Sequence, residues 1–374
     1  MRRTLDIADV RHMMSVMSRA DVIERAGLAA AAAAALALAV PTVRALRRHA
    51  DAVRRVAPEL RSTALLRPST VSNRALLAHR RHRRPATAAL PPGVQRHGVR
   101  LARAGGPELE LDLYSPTTRP APTGALVWMH GGGLVMGTTR HADAWCARVA
   151  DELGVLVVSV GYRLAPDHPY PAAIDDCHDA LTWVHREASG LGVDTARVAI
   201  GGDSAGGGLA ASLAQRAHDT GLPVRLQVLV YPMLDDRTVT RVRAERTWAV
   251  LWTPPSNRFG WSSYLGHAPG EDETRPYAVP ARRPDLAGLA PAWIGVGSLD
   301  LFHDEDVAYA ERLRAAGVPV DLHVVPGMYH AADDVVPDAP QSVRLRGSAL
   351  AALADALRDP APGPTDDRAS VSEQ

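Results

Sequence analysis

The stretch GGDSAGGGLA, residues 201–210, follows the apolar run 198–200 and holds one serine, Ser204, among five glycines. Glycine is selected where the backbone needs a positive φ or where other atoms come very close, and elsewhere it costs conformational entropy. Residues 202–206 fit the pattern G-x-S-x-G, a sharp strand-to-helix turn that exposes the serine hydroxyl. Because helix-forming residues 209–216 follow, the stretch predicts a strand, a turn carrying a nucleophile, and a helix.

Two other glycine-rich loops fit this stretch poorly. A phosphate-binding P-loop needs Lys and then Ser or Thr after its last glycine, but Leu209 follows Gly208 here. The dinucleotide fingerprint G-x-G-x-x-G cannot be placed on these residues either. The nucleophile interpretation is therefore favoured over a nucleotide site.

Composition excludes several function classes. The 374 residues are 46% hydrophobic and 22% charged, which is typical of a globular protein with an ample core. The net charge of +1 gives no electrostatic reason to bind nucleic acid, and the basic run 79–85 lacks interleaved aromatic residues. Only Cys146 and Cys177 occur, and no histidine pair has metal-ligand spacing, so we predict no metal and no cofactor; a single disulfide stays open.

Strand-like and helix-like segments alternate through the middle of the chain. This alternation predicts an α/β fold with a mostly parallel sheet and helices on both faces. The helix-like stretches include 173–187 and 305–316. The short apolar runs that we interpret as strands are 127–129, 155–160, 198–200, 226–230, 293–296 and 322–325.

A serine nucleophile needs a base and a third group that orients the base. In such sheets chemistry gathers at the carboxyl ends of the strands, where Asp300 follows one apolar run and His330 follows the next. The order Ser204, Asp300, His330 is that of the α/β-hydrolases. The rival residues lie at a predicted helix start or inside a strand, and they are Asp304, Asp306, His303 and His323.

Oxyanion donors are expected from a second glycine loop. Residues 130–133, His-Gly-Gly-Gly, follow the strand-like run 127–129, and glycine lets backbone N–H groups approach an oxyanion closely. We expect the amides of Gly132, Gly133 and Ala205 to form the oxyanion hole.

These motifs in this order resemble the hormone-sensitive-lipase-like family of bacterial carboxylesterases, in its GDSAG subgroup. The similar segments, within residues 105–355, are 130–133, 162–173, 202–207, 231–232, 300–305 and 327–330. The resemblance implies the α/β-hydrolase fold with a helical cap, and Ser204, Asp300 and His330 as the triad. It also implies that His130 orders the glycine loop without reacting. One departure is that His330-Ala331-Ala332 stands where the family commonly has His-Gly-Phe.

The resemblance also suggests a domain organisation, although the N-terminal hundred residues are longer and richer in alanine and arginine than the family's cap helices. Aromatic residues between 236 and 280 could line an acyl cleft or pack the cap on the core. The expected parts are an N-terminal helical cap region at 1–95, the core at 96–235 and 281–358, a cap insertion at 236–280, and a disordered tail at 359–374.

The sequence thus predicts a serine carboxylesterase that hydrolyses short- to medium-chain esters through an acyl-enzyme. An amidase or acyltransferase with the same triad is the alternative, followed by a ligand-binding module that has lost catalysis. The expected partner is a small-molecule ester, with no nucleic acid. We expect a cytoplasmic enzyme, while the uncharged, alanine-rich residues 26–43 leave membrane association and export open.

Overall fold

The computed structural model describes residues 47, 49–66, 70–81, 89–103, 106–241 and 251–358. The chain divides into two compact units, Met1–Arg54 and Arg55–Gln374. The described residues of the first unit, 47 and 49–54, are helical. All the elements and sites below belong to the second unit.

The second unit is built on an eight-stranded sheet. Its strands lie in the order β1-β2-β4-β3-β5-β6-β7-β8, with β2 antiparallel to both of its neighbours and every pair from β4 to β8 parallel. The strands are β1 (Val94–Leu101), β2 (Leu109–Pro116), β3 (Thr123–Met129), β4 (Leu156–Gly161), β5 (Val193–Asp203), β6 (Leu226–Val230), β7 (Ala292–Gly297) and β8 (Val320–Val325). The prediction of a mostly parallel sheet is confirmed, and each of the six predicted runs overlaps a strand. Four of them agree with the strand bounds to within two residues, whereas β3 begins four residues and β5 five residues before the predicted run.

Helices cover both faces of this sheet. They are α1 (Arg74–Arg81), α2 (Asp143–Leu153), α3 (Ala172–Arg186), α4 (Ala188–Leu191), α5 (Ala205–Asp219), α6 (Thr238–Arg241), α7 (Pro254–Leu265), α8 (His303–Ala315), α9 (Ala332–Val335) and α10 (Pro340–Leu357). Short 3₁₀ turns are found at Pro58–Leu60, Thr63–Leu66, Thr139–Ala142 and Pro280–Arg282.

The central strand β3 shows where the core lies. All seven of its residues are buried, and successive side chains of a strand point to opposite faces, so both faces are covered. Val127 and Met129 join the apolar cluster with residues of α3 and α5. Trp128, which alternates with them, packs against Trp145 of α2 with ring centroids 5.7 Å apart.

Several predicted segments fall partly or wholly outside the described residues. Both the alanine-rich run 26–43 and the tail 359–374 lie there, as do residues 242–250 of the predicted cap insertion. Within the part of the chain that the structure describes, no helix combines the length and apolar composition needed to cross a membrane. The domain boundaries stay a prediction.

Candidate active site

Ser204 stands in a strained turn between two regular elements. Strand β5 ends at Asp203, helix α5 begins at Ala205, and Ser204 between them has φ 54° and ψ −117°. A positive φ is costly for a residue with a side chain and persists only where the surroundings fix it. Here the Ser204 N–H donates to the Val230 carbonyl at 2.9 Å, and its own carbonyl accepts from the Met233 N–H at 2.9 Å. The strain is thus stored at the serine itself.

The surrounding glycines are there because backbone passes very close to them. A Cβ placed on Gly202 would lie 2.4 Å from the backbone of Gly206, and one on Gly206 would lie 2.1 Å from the Met129 carbonyl oxygen. A Cβ on Gly208 would lie 2.1 Å from the carbonyl oxygen of Met233. Real side chains do not approach backbone this closely, so the turn needs glycine at these positions.

The structure brings Ser204, His330 and Asp300 together, all three of them buried. Ser204 Oγ lies 2.9 Å from His330 Nε2, and His330 Nδ1 lies 2.8 Å from Asp300 Oδ2. The imidazole is also held by aromatic rings edge-on to it, with Tyr231 at 4.9 Å and Phe302 at 5.1 Å between centroids.

This arrangement has a defined proton chemistry. A carboxylate can only accept a hydrogen bond, so Asp300 favours the tautomer of His330 that carries its proton on Nδ1. Nε2 is then free to accept the proton of the Ser204 hydroxyl. The Asp300 carboxylate is itself fixed, because its Oδ1 accepts the backbone N–H of Phe302 at 2.9 Å.

The rival acids and bases have other partners or other surroundings. His303 pairs with the adjacent Asp304 at the start of α8, with Nδ1 and Oδ1 2.8 Å apart. His323, inside β8, contacts Ser348 at 3.0 Å. Asp306 is fully buried, and burial raises its pKa well above the usual range for a carboxyl group. Among the described histidines, the hydrogen bond to Ser204 is made by His330.

The glycine loop after β3 faces the serine. Gly132 and Gly133 have φ of 125° and 63°, and a Cβ on Gly132 would lie 2.0 Å from the Met136 carbonyl oxygen. A Cβ on Gly133 would lie 2.1 Å from Cη2 of Trp252. Ala205 begins α5, where backbone N–H groups lack helical partners. The donor roles of Gly132, Gly133 and Ala205 stay predictions.

His130 is locked inside the same loop. Its Nδ1 lies 2.7 Å from the Gly131 carbonyl oxygen, and its ring stacks on Tyr162 with centroids 4.3 Å apart. The Tyr162 hydroxyl donates to the His130 carbonyl at 2.7 Å. Burial lowers the pKa of His130 to about 3, so this side chain stays neutral at physiological pH. The contacts suit a residue that orders the loop.

A cavity of about 300 Å³ opens beside the serine. Besides Ser204 and His330, its walls include both loop glycines, the apolar residues Met136, Leu251, Trp252 and Val335, and the polar residues His141 and Asp334. The hydrogen-bonded Ser204 and His330, a glycine loop and apolar walls therefore meet in one concave space, as in small-molecule sites.

A family model described as the alpha/beta hydrolase fold matches residues 126–333, more than half of the chain. The chain belongs to the α/β-hydrolase family. Esterase LipI of Mycobacterium tuberculosis (strain ATCC 25618 / H37Rv) is 40% identical over 223 residues, which are 58% of this chain and 69% of LipI. The ethyl acetate hydrolase of Pseudomonas putida is 39% identical over 247 residues, covering 62% of this chain and 73% of that enzyme.

Among solved structures, the bacterial heroin esterase matches this hydrolase with a TM-score of 0.74 at 35% identity, over 82% of this chain and 99% of that chain. The predicted family, fold and enzyme class, a carboxylic ester hydrolase, are confirmed by these comparisons. The GDSAG subgroup stays a prediction.

A second cavity of this hydrolase, about 500 Å³, lies among residues 273–285. Its arginines already have acidic partners, since Arg275 pairs with Glu273, Arg282 with Asp236, and Arg283 with Asp219. This cavity lacks a serine–histidine pair among its described lining residues. The smaller cavity is therefore the candidate active site.

Metal and disulfide chemistry find no support in the described residues. No group of three or more His, Cys, Asp or Glu side chains there could hold a metal ion, and the absence of a metal stays a prediction. Cys146 and Cys177 are both buried and free, so the disulfide that the sequence left open is not formed.

Sequence reasoning missed part of the cavity wall. Met136, Val335 and Asp334 belong to no motif that we singled out. A usable signal was their position, because Met136 follows the glycine loop and the other two closely follow His330.

Proposed function

We propose that this protein is a serine carboxylesterase that acts through an acyl-enzyme. The observation that carries the proposal is the chain of short contacts in a cavity wall, 2.9 Å from Ser204 Oγ to His330 Nε2 and 2.8 Å from His330 Nδ1 to Asp300. A serine hydroxyl with a base at this distance is a nucleophile ready for acyl transfer.

The reaction proceeds in two halves. Ser204 Oγ attacks the ester carbonyl carbon while His330 Nε2 takes the hydroxyl proton, and His330 returns that proton to the departing alkoxide. Water then attacks the acyl-enzyme with His330 again accepting its proton, and Ser204 recovers its hydrogen as the acid leaves. Asp300 holds His330 in the required tautomer and stabilises the imidazolium that forms.

Backbone amides stabilise the charge that develops on the carbonyl oxygen. We assign this role to the N–H groups of Gly132, Gly133 and Ala205. Loss of one such donor costs on the order of 3 kcal/mol in the transition state. The close packing of Gly132 on Met136 and of Gly133 on Trp252 supports a loop that is already in place before substrate arrives.

Short- to medium-chain acyl groups fit the cavity. Its volume of about 300 Å³ is at the low end for ligand sites, and Met136, Trp252 and Val335 form apolar walls. The relative named for ethyl acetate supports a small substrate. We also propose that segment 236–280 caps this cavity, since Leu251 and Trp252 line it.

Hydrolysis of p-nitrophenyl esters from acetate to palmitate tests the proposal. We expect wild-type turnover that peaks at short or medium chains, no turnover with Ser204→Ala, and a loss of about 10⁴-fold in kcat with Asp300→Asn. Ser212→Ala is a matched control, because Ser212 is buried in the same helix α5. Undiminished activity of Ser204→Ala would refute the nucleophile, and a preference for palmitate would refute the size of the acyl site.

Amide and acyl-transfer assays separate the alternatives. Amidases and acyltransferases use the same three residues and differ in leaving group and acceptor. A folded wild type that cleaves p-nitroanilides and spares every ester would favour the amidase.

A further inference from the structure

Arg346 of α10 lies almost buried behind the active site, with 11% of its side chain exposed. Its guanidinium lies close to three partners at once, and a fourth, Asp334 Oδ1, lies farther away at 3.8 Å from Nη2. Nη1 lies 2.8 Å from Asp203 Oδ1, Nε donates to Asp333 Oδ2 at 2.6 Å, and Nη2 donates to the Tyr231 hydroxyl at 3.1 Å. Tyr231 in turn donates to Asp333 Oδ2 at 3.3 Å, which closes the network.

Each partner belongs to a segment that carries or touches a catalytic side chain. Asp203 immediately precedes Ser204, and Asp333 is the third residue after His330. The ring of Tyr231 packs edge-on against the His330 imidazole. One guanidinium therefore joins the serine turn, the segment after the histidine, and the ring that supports the histidine.

This position requires the planar guanidinium group of arginine, with its several N–H donors. Arg346 also lies over the ring of Trp145, 5.0 Å from its centroid, so its plane is fixed from one side. Burial alone lowers the pKa of Arg346, but the nearby carboxylates of Asp203 and Asp333 raise it well above the usual value. The side chain is thus a permanent cation with several fixed donors, a role that the single ammonium of lysine fills poorly.

We propose that Arg346 is a positioning residue that sets the geometry between Ser204 and His330. Resting on the proposed function, the proposal assigns it no contact with substrate. Ser204 and His330 come from different strand ends, so the 2.9 Å contact between them depends on how the two segments are held together. Small misplacements of reacting groups cost large factors in rate.

The test measures kcat per active site in Arg346→Lys and Arg346→Met. Active sites are counted with a fluorophosphonate that labels the serine, so unfolded protein does not lower the result. We expect kcat on p-nitrophenyl butyrate to fall more than tenfold in Arg346→Met and less in Arg346→Lys, with KM within about twofold of wild type. Arg344→Met is the matched control, because Arg344 is exposed on the same helix, and it should keep wild-type kcat.

A third variant keeps the test decisive if Arg346→Met does not fold, since removing one partner of a buried ion pair is strongly destabilising. Asp333→Asn keeps the shape of the side chain and the Asp203 contact but weakens one arm, so kcat per site should fall between those of wild type and Arg346→Met. If Arg346→Lys and Asp333→Asn both keep the wild-type kcat per site, the positioning role of Arg346 is overturned, while the proposed function still stands. A wild type that neither takes the label nor hydrolyses esters would overturn the proposed function, and this role with it.

Discussion

Gly133→Ala would test, with a single added methyl group, whether the glycine loop 130–133 supplies a donor to the oxyanion. The backbone at Gly133 has φ 63°, and the new Cβ would lie 2.1 Å from Cη2 of Trp252 and 2.5 Å from its Cζ2. The first distance is about 1.3 Å short of the 3.4 Å at which ordinary van der Waals contact begins. Either the indole or the loop must move.

The expected loss follows from what moves. Alanine in a left-handed conformation costs about 1–2 kcal/mol in stability wherever it stands. If the loop gives way, the Gly133 N–H leaves its place, and losing one oxyanion donor lowers kcat by about 10²–10³-fold. Trp252→Ala in the same chain removes the ring that the methyl group meets, so most of the lost kcat should return in the double variant.

The assay is kcat on p-nitrophenyl butyrate, normalised to active sites titrated with a fluorophosphonate. Gly154→Ala is the matched control, because Gly154 has φ 67° and a Cβ there would meet nothing within 4 Å. It should lose stability and keep kcat. The reasoning is refuted if Gly133→Ala behaves like Gly154→Ala, or if removing the Trp252 ring restores nothing.

Two further changes test local energetics. Burial alone would raise the pKa of Glu273, but hydrogen bonds from the side chain and the backbone N–H of Arg275 lower it to about 2, against 4.5 ordinarily. The Glu273 carboxylate therefore stabilises the fold fully above pH 4.5, and this stabilisation is lost as the pH falls towards 2. Glu273→Gln lacks the titrating group. Between pH 4.5 and 2 its urea midpoint should therefore depend less on pH than the urea midpoint of wild type. Ala331 has φ 54°. Ala331→Gly should raise the free energy of unfolding by about 0.5–1 kcal/mol, because the relief of left-handed strain exceeds the entropy cost of glycine. A urea titration that shows a lower free energy of unfolding would contradict this.

The serine turn could be predicted from the sequence because its causes are local. Strand, glycines and helix are adjacent in the chain, and the glycines are required by contacts within the turn, with β3 and with the segment that follows β6. Asp300 and His330 could be placed beside Ser204 by one rule, that the ends of parallel strands share an edge of the sheet. The structure brings these three side chains together.

Strands β1 and β2 were missed for different reasons. β2 contains the alternating Leu109-Glu-Leu-Asp-Leu-Tyr114, a pattern that is typical of a strand and is visible in the sequence. β1 is an edge strand with mostly polar, part-exposed residues, so it carries little hydrophobic signal. The Arg346 network could not be predicted, because its members are distant in the chain. No local pattern joins an arginine of α10 to an aspartate at the end of β5 and another in the short helix α9.

The segment after His330 shows how this chain differs from the family it resembles without losing the site. Ala331 adopts a positive φ, for which glycine is the usual choice. The backbone after His330 therefore keeps this conformation without glycine, at a cost in strain. Such strain persists only where neighbouring contacts fix the backbone on both sides. Before the histidine, the Gly327 carbonyl accepts the Ala57 N–H at 3.0 Å; after it, Asp333 is held by Arg346. We therefore expect the buried pair of Arg346 with Asp333 to help hold the backbone around Ala331 and His330 in place.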